Sequence, residues 1–565
     1  MINKLLDNIT LKLTENKHYW IILFSATFLL LFIVMLYFYP LHEGHDLQSH
    51  YGRLQALLQA VQDGSFPVYF DQSLINGYGF ATRYFYGDLV LLPFALLIPY
   101  IGIISAYKVM IIFYSLLCGL LTYISINKVF KNNYIAFICT ILFTFSYYRL
   151  YDVYNRAAVG ETICLTFFPL ILWGAYEIVK GNYKKWYIIT IGFTLMIFAH
   201  VNTPAIVAFT LIIFLLFNYK AFLKEPQRLY YLILAGAATV VLTAYFIFPL
   251  FEHLLSNEFY FNTENGKRLT SNVVFGEPVK YIIRGLFSGA TYVVPEIAGI
   301  GIILTMLLCS RIYLSRDEDV KHADLYLIVG SICLLIVSPF YPWSTFPFNI
   351  IGFIQFSWRF YAVATFIFCI AAAVYYYKAL QTNKRRYIGG IPFLFVITTI
   401  VIINMGQVFT NERSISKVIE PTIENGYFLY GGDYLPSKIP NADAFFHERG
   451  NDSIRSAKSS TAITNFKKEL RLLSFDVNAK NNDKLELPLV YYKGYKAEIN
   501  GNETEVNQSE NGLVEIPVNG PGQVKVYFGG TFIQKTSPYI TLITSILLIA
   551  YIIRFNRKNK KTNDK

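Results

Sequence analysis

Charge is what this sequence has least of. Only 15% of its 565 residues are Asp, Glu, Lys or Arg, against about 25% in an ordinary soluble domain. That shortfall excludes a cytosolic enzyme of the usual kind, and it excludes a disordered chain, which combines high charge with low hydrophobicity. Cysteine is sparse too. Cys118, Cys139, Cys164, Cys309, Cys333 and Cys369 all lie in or beside apolar runs with no CxxC pair, so they form neither a disulfide framework nor a zinc site. There is no internal repeat of the kind that marks many secondary transporters. Ionisable residues are almost missing from the middles of the apolar runs, Glu177 lying near one end. An ion-coupled transporter normally keeps such groups at the bilayer midplane, so their scarcity argues against that class.

What remains is apolar and aromatic: 54% hydrophobic, with 44 Tyr and 48 Phe. Runs of membrane-spanning length recur. The first covers 19–39 and the others centre near 105–126, 134–148, 161–179, 186–200, 204–218, 229–250, 296–313, 325–341, 358–378, 387–405 and 537–554. The first run is too long for a signal-peptide core and no small-residue cleavage site follows it, so it reads as an uncleaved span. The expectation is a polytopic α-helical membrane protein with about twelve spans. The segment 88–104 is apolar but holds Pro93 and Pro99; read as re-entrant or interfacial, it lets every basic segment face one side. These are 180–185, 220–228, 311–321, 378–386 and the tail with Arg554, Arg557, Lys558, Lys560 and Lys561. Positive charge resists translocation, so both termini are expected in the cytoplasm of a multi-pass plasma-membrane protein. The net charge of +12 is thereby explained without nucleic acid.

The long polar segments then fall outside: 40–104, 149–160, 251–295, 342–357 and 406–536. The last alternates in the manner of strands at Leu485–Tyr492, Leu513–Val518 and Gln523–Phe528, with turns at Asn500-Gly501 and Asn519-Gly520-Pro521-Gly522, which predicts a small extracytoplasmic β-sandwich-like domain. The expected organisation is a membrane domain over 1–405, the β-rich domain over 406–536, and a last span with a basic tail over 537–565.

Polar chemistry gathers at the outer ends. After Leu41-His42-Glu43-Gly44-His45-Asp46, the residues Leu47, Tyr51, Leu54, Leu58 and Val61 recur at helical spacing, the pattern of a helix lying along the membrane surface. Asp46, His50 and Arg53 fall within roughly a 60° arc of that helix. Asp46 could simply cap it; His42, Glu43, His45 and Asp46 could also hold a divalent cation such as Mg or Mn, though the spacing matches no specific metal motif. A second cluster is Tyr147-Tyr148-Arg149-Leu150-Tyr151-Asp152-Val153-Tyr154-Asn155-Arg156, followed by Glu161. Arg149 and Arg156 suit an anionic headgroup, while Asp152 and Arg156, four apart, could equally be a plain intrahelical pair. His200 ends the fifth expected span and Arg359 starts the tenth, where a guanidinium opposes the helix dipole and calls for a compensating anion.

These segments carry a resemblance. Gly44-His45-Asp46, Asp63-Gly64-Ser65-Phe66-Pro67, Asn76-Gly77-Tyr78-Gly79, Tyr84-Phe85-Tyr86-Gly87, Tyr148–Glu161 and Gln355–Arg359, with Tyr434-Leu435-Pro436 and 491–501 in the outer segment, resemble the bacterial YfhO-like membrane proteins. The closest likeness is to the branch labelled "6-pyruvoyl-tetrahydropterin synthase-related", although no pterin-enzyme zinc–histidine pattern occurs here. The usual Pro before Trp-Arg is Ser357. That family is similar in layout to the GT-C glycosyltransferases, which transfer sugar from a polyprenyl-phosphate carrier on the outer face. The resemblance implies Asp46 as catalytic base, with Arg149, Arg156 and Arg359 on the phosphate. His50, Arg53, Asp152, Glu161 and His200 would contact sugar or acceptor. It implies a polyprenyl-phosphate-linked sugar as donor and a cell-surface glycopolymer, such as a teichoic acid or other wall glycan, as acceptor. The competing expectations are a lipid-linked glycan or polymer transporter and a non-catalytic cell-envelope assembly protein.

Overall fold

A computed structural model describes residues 17–37, 46–72, 74–263, 276–287, 299–354, 356–381, 384–412, 434–439, 442–450, 454–456, 461–469 and 471–563. The chain divides into two compact units, one of Met1–Leu47, Ile104–Thr239 and Ser271–Ile419, the other of Gln48–Ile103, Val240–Thr270 and Glu420–Lys565. The divisions therefore do not follow the 405/406 and 536/537 boundaries expected from hydropathy: the first outer loop, a mid-chain helix and the last helix all group with the β-rich segment.

The first unit is helical. Six helices among the described residues of the whole chain are long and apolar enough to cross a membrane: Ile103–Phe130, Asn133–Arg156, Val159–Val179, Glu318–Val337, Ser357–Gln381 and Phe532–Asn559. A bent pair, Gln227–Leu242 and Ala244–Ser256, makes a seventh if taken as one span. The expected twelve are not reached on this measure, because hydropathy registers apolar composition and not the length a helix attains. The expected spans at 19–39, 204–218, 296–313 and 387–405 correspond to shorter apolar helices, Ile22–Met35, Asn202–Phe217, Ile302–Tyr313 and Gly389–Ile403. The one at 186–200 is the 11-residue helix Tyr187–Ile197. Segment 88–104 is broken into short helical pieces, Leu89–Leu91, Leu92–Ala95 and Ile98–Ile101, with proline in the first turn of the last two. A proline lacks the N–H that a continuing helix requires.

Local signals set the helix ends in this unit. The Asn132 side chain accepts from the N–H groups of Tyr134 (2.9 Å) and Ile135 (3.1 Å), capping Asn133–Thr144. Asp317 caps Glu318–Val337 through Val320 N–H at 2.9 Å, with Glu318 and Asp319 in the first turn, where the helix dipole favours carboxylates. Protein covers 94% of the apolar window of Asn133–Arg156 and 89% of that of Ser357–Gln381. These are the central helices of the bundle. The second is small where it is most enclosed, Ala371, Ala372 and Ala373 being wholly buried, which lets neighbouring backbones approach.

The second unit is built on one antiparallel sheet of seven strands: β1 Arg455–Ser456, β2 Ala462–Lys468, β3 Leu472–Val490, β4 Tyr495–Ile499, β5 Asn502–Thr504, β6 Asn507–Gln508 and β7 Leu513–Phe528. The order is β1-β3-β7-β4-β5, with β2 also on β3 and β6 also on β7. The expected sandwich is thus a single hydrogen-bonded sheet among the described residues. Its two long strands pair with each other along most of their length and carry separate partners at their two ends, with register shifts between Ala479 and Asp483 and between Glu486 and Val490. Leu473, Phe475, Val477, Leu485 and Leu487 of β3 and Ile516, Val518, Val524 and Val526 of β7 are buried in alternation. They share one core with Phe70, Ile75, Tyr78, Phe80, Tyr84 and Phe85 from the first outer loop and with Phe259. That loop is therefore structural material of the β-rich unit. Burying a large aromatic or aliphatic side chain contributes about 1.5–3 kcal/mol, so six such side chains anchor it firmly.

Candidate functional site

The second polar cluster of the sequence closes on itself in the first unit. After the short helix Tyr147–Tyr151, residues Asp152–Arg156 form a π-turn. Ala157 follows in the left-handed region (φ 53°, ψ 35°) and the helix Val159–Val179 begins two residues later. The reversal is fastened by Ala158 N–H to the Asp152 carbonyl at 3.0 Å. Because the chain turns back so tightly, Glu161, in the first turn of the new helix, returns alongside Arg156.

The result is a buried ion triad. Arg156 Nη1 donates to Asp152 Oδ1 at 2.6 Å and to Glu161 Oε2 at 2.9 Å. The Tyr148 hydroxyl donates to Glu161 Oε1 at 2.5 Å. Asp152 is completely buried and Glu161 is 2% exposed, yet Asp152 Oδ2 has no hydrogen-bond partner among the described residues. An unpaired carboxylate oxygen in such surroundings is costly, and π-turns, left-handed non-glycine residues and orphaned polar atoms collect at functional sites. Two carboxylates against one guanidinium leave the triad one negative charge in excess.

Positive charge and aromatic surface come from elsewhere in the same unit. The Trp358 ring lies under the Arg156 guanidinium at 4.4 Å, Phe356 stacks on Trp358 at 5.4 Å, and the Arg359 guanidinium lies over Phe356 at 5.2 Å. Each of the two guanidinium groups therefore lies over one ring of a stacked pair, a contact that helps hold both cations in place. Arg359 Nη1 donates to the Ile354 carbonyl at 2.7 Å, while its Nε is buried without a partner. Arg359 and His200 both act electrostatically on Glu161. His200 Nδ1 is 2.8 Å from Thr203 Oγ1 and accepts from Thr203 N–H at 3.2 Å, capping the helix Asn202–Phe217. Its ring packs against residue 160, which is glycine: a Cβ there would lie 2.8 Å from the Ala199 carbonyl oxygen and 3.0 Å from His200 Cδ2.

Asp46 joins this group through the backbone, its N–H donating to the Arg156 carbonyl at 3.0 Å. The hydrogen bonds of Arg149 run elsewhere. It is wholly buried, with Nη1 on the Thr144 carbonyl (3.1 Å) and Nη2 on Ser115 Oγ (2.9 Å), and it acts on Asp152 electrostatically. His50 and Arg53 belong to the second unit. There they lie 3.1 Å apart through Nδ1 and Nη1, Arg53 also donating to the Gly87 carbonyl at 2.5 Å and stacking on Tyr86. Asp152, Arg156, Glu161, His200 and Arg359 stand out in the sequence, and the tyrosines of 147–154 could stack on a sugar or form an interfacial belt; Trp358 and Gly160 carry no such signal. For the metal set proposed from the first loop, His42, Glu43 and His45 lie outside the described residues. Among the described residues no group of three or more His, Cys, Asp and Glu could hold a metal ion.

No family model matches the chain. A protein of Lactococcus lactis subsp. cremoris (strain MG1363), described as uncharacterized, is 23% identical over 610 residues, covering 96% of this chain and 97% of that protein. The likeness thus extends over nearly the full length of both chains and carries no activity with it.

Proposed function

We propose that the protein is a membrane glycosyltransferase of GT-C type, moving a sugar from a polyprenyl-phosphate donor to a cell-surface glycopolymer on the outer face of the plasma membrane. The reading takes twelve spans, both termini in the cytoplasm, and the sheet unit outside. The observation that carries it is the backbone bond from Asp46 to Arg156 at 3.0 Å. This bond tethers the acidic residue of the first outer segment to a cluster of the helical unit that combines carboxylates, guanidinium groups and an aromatic surface.

The chemistry suits those groups. A polyprenyl-phosphate sugar already carries a good leaving group, so no strong general acid is required. The acceptor hydroxyl oxygen forms its bond to the anomeric carbon as its proton passes to the Asp46 carboxylate. The anomeric carbon–oxygen bond breaks, and its electron pair leaves with the phosphate. Negative charge grows on the departing phosphate, and fixed guanidinium groups stabilise it more than water does. Arg156 offers the part of its fork that the two carboxylates on Nη1 leave over; Arg359 offers its unpartnered Nε side. Trp358 and Phe356 hold both cations and present a flat apolar face of the kind sugars stack on. The proposal is tested by sugar transfer in proteoliposomes containing the full-length protein, with a panel of polyprenyl-phosphate sugars and a crude surface-polymer acceptor. Transfer supports it. Absence of transfer with every donor, from protein that still restores a cell-surface defect, moves the function to assembly or transport.

A further inference from the structure

The helix Val279–Phe287 of the first unit has two faces that no other described helix combines so sharply. Val279, Ile283 and Phe287, four residues apart in turn, are 40%, 51% and 55% exposed. At 100° per residue they span about 80°. The next strip round the helix holds Lys280 and Arg284, both exposed, and Lys280 lies 5.0 Å from the Tyr281 ring centroid. Apolar and cationic stripes therefore run side by side along the same open surface.

Backbone contacts fix where this helix lies. Just ahead of it, Glu277 N–H donates to the carbonyl of Val337, the last residue of the candidate span Glu318–Val337. Toward its other end, Gly301 N–H donates to the Gly285 carbonyl at 3.0 Å, and Gly301 is the N-cap of the apolar helix Ile302–Cys309. Thr305 Oγ1 donates to the Leu286 carbonyl at 2.7 Å. The approach is glycine-dependent: a Cβ on Gly299 would lie 2.2 Å from the Gly285 oxygen. The helix is thus tied at both ends to the ends of apolar helices. The end of a membrane span is the depth of the lipid headgroups, and aromatic and basic side chains belong there.

We propose that Val279–Phe287 is an in-plane lipid-binding helix whose apolar stripe enters the acyl region while Lys280 and Arg284 bind the phosphate groups of anionic phospholipid. Charge complementarity selects the occupant: two exposed cations bordering an apolar stripe match an anionic headgroup above its acyl chains. The inference needs the membrane placement alone and does not depend on the transferase reading.

The test uses full-length protein in nanodiscs, with Ile283→Cys carrying an environment-sensitive fluorophore in a Cys309→Ser background, since Cys309 is the exposed cysteine among the six. The expected result is quenching by spin-labelled acyl chains and little quenching by aqueous iodide. Spin-labelled phosphatidylglycerol should be preferred to spin-labelled phosphatidylcholine about twenty-fivefold, roughly fivefold for each basic side chain. Lys280→Gln with Arg284→Gln should bring that preference close to one while acyl-chain quenching persists. Ready quenching by iodide overturns the proposal. So does protection from both quenchers, which would mean a protein partner covers the helix. Acyl-chain quenching with no phosphatidylglycerol preference overturns the anionic-lipid assignment.

Discussion

Replacing Arg156 by leucine perturbs the site at its pivot. Arg156 is the cation on which Asp152, completely buried, and Glu161, 2% exposed, both rest. Without it two carboxylates face each other in a protein interior, and removing one partner of a buried ion pair typically costs about 3–5 kcal/mol. The lost stacking on Trp358 adds about 1 kcal/mol. Relief by protonation of one carboxylate lowers the total, so the expected loss is about 4 kcal/mol in denaturant or thermal unfolding of the detergent-solubilised protein. The control is a cycle with Glu161→Gln. If the carboxylate pair is the source of the loss, Arg156→Leu should be at least about 1 kcal/mol less damaging in the Glu161→Gln background, because contacting charges do not behave additively. Arg156→Lys keeps the charge but not the fork, and should fall between wild type and leucine. An Arg156→Leu protein within about 1 kcal/mol of wild type would refute the picture of a charge-critical triad.

Other expectations bear on separate parts of the account. Ala157 holds a left-handed conformation that disfavours a Cβ, so Ala157→Gly should raise stability by up to about 1 kcal/mol, and a loss on unfolding would show that the turn is not strained. Gly160→Ala forces a Cβ to within 2.8 Å of the Ala199 carbonyl oxygen and should cost about 1–3 kcal/mol; an unchanged unfolding midpoint would contradict the close approach of His200. Burial pushes the Glu277 carboxyl up to about 7. A buried acid with a raised folded pKa contributes full stability below its unfolded value, about 4.3, and loses it as pH climbs toward 7. Glu277→Gln should therefore match wild type near pH 4 and exceed it above pH 7 by at most about 4 kcal/mol, whereas a difference independent of pH would rule out this carboxyl as the titrating group.

Much of this was legible in the sequence, for reasons particular residues show. Scarce charge and long apolar runs announce a helical membrane protein. Alternation at Leu485–Tyr492 and Leu513–Val518 announces strands: the first falls on the end of β3, which stops at Val490, and the second lies within β7. The Asp152–Arg156 pair follows from four-residue spacing. Its third member does not, because Glu161 reaches Arg156 only through a left-handed turn at an alanine, where sequence rules look for glycine. Trp358 reaches the same guanidinium from two hundred positions away, a pairing that no local pattern contains. Arg149 and Arg156 look alike in the sequence, two basic residues at the outer end of one apolar run. The structure separates their contacts, because Arg149 bonds Ser115 and the Thr144 carbonyl in the bundle. The packing of Phe70, Tyr78 and Phe85 under the sheet was hidden as well, since a loop's aromatics look alike whether they meet lipid, solvent or a neighbouring strand.

Asp46 is the residue on which the proposed transfer chemistry turns. The most direct measurement is transfer of labelled sugar from a polyprenyl-phosphate donor by reconstituted full-length protein, comparing wild type with Asp46→Asn. The substitution keeps the residue's size and the backbone N–H bonded to Arg156. A general base contributes typically 10²–10⁴-fold, so turnover should fall at least about a hundredfold while the unfolding midpoint stays put. Wild-type turnover with an undiminished Asp46→Asn rate would contradict the central assignment.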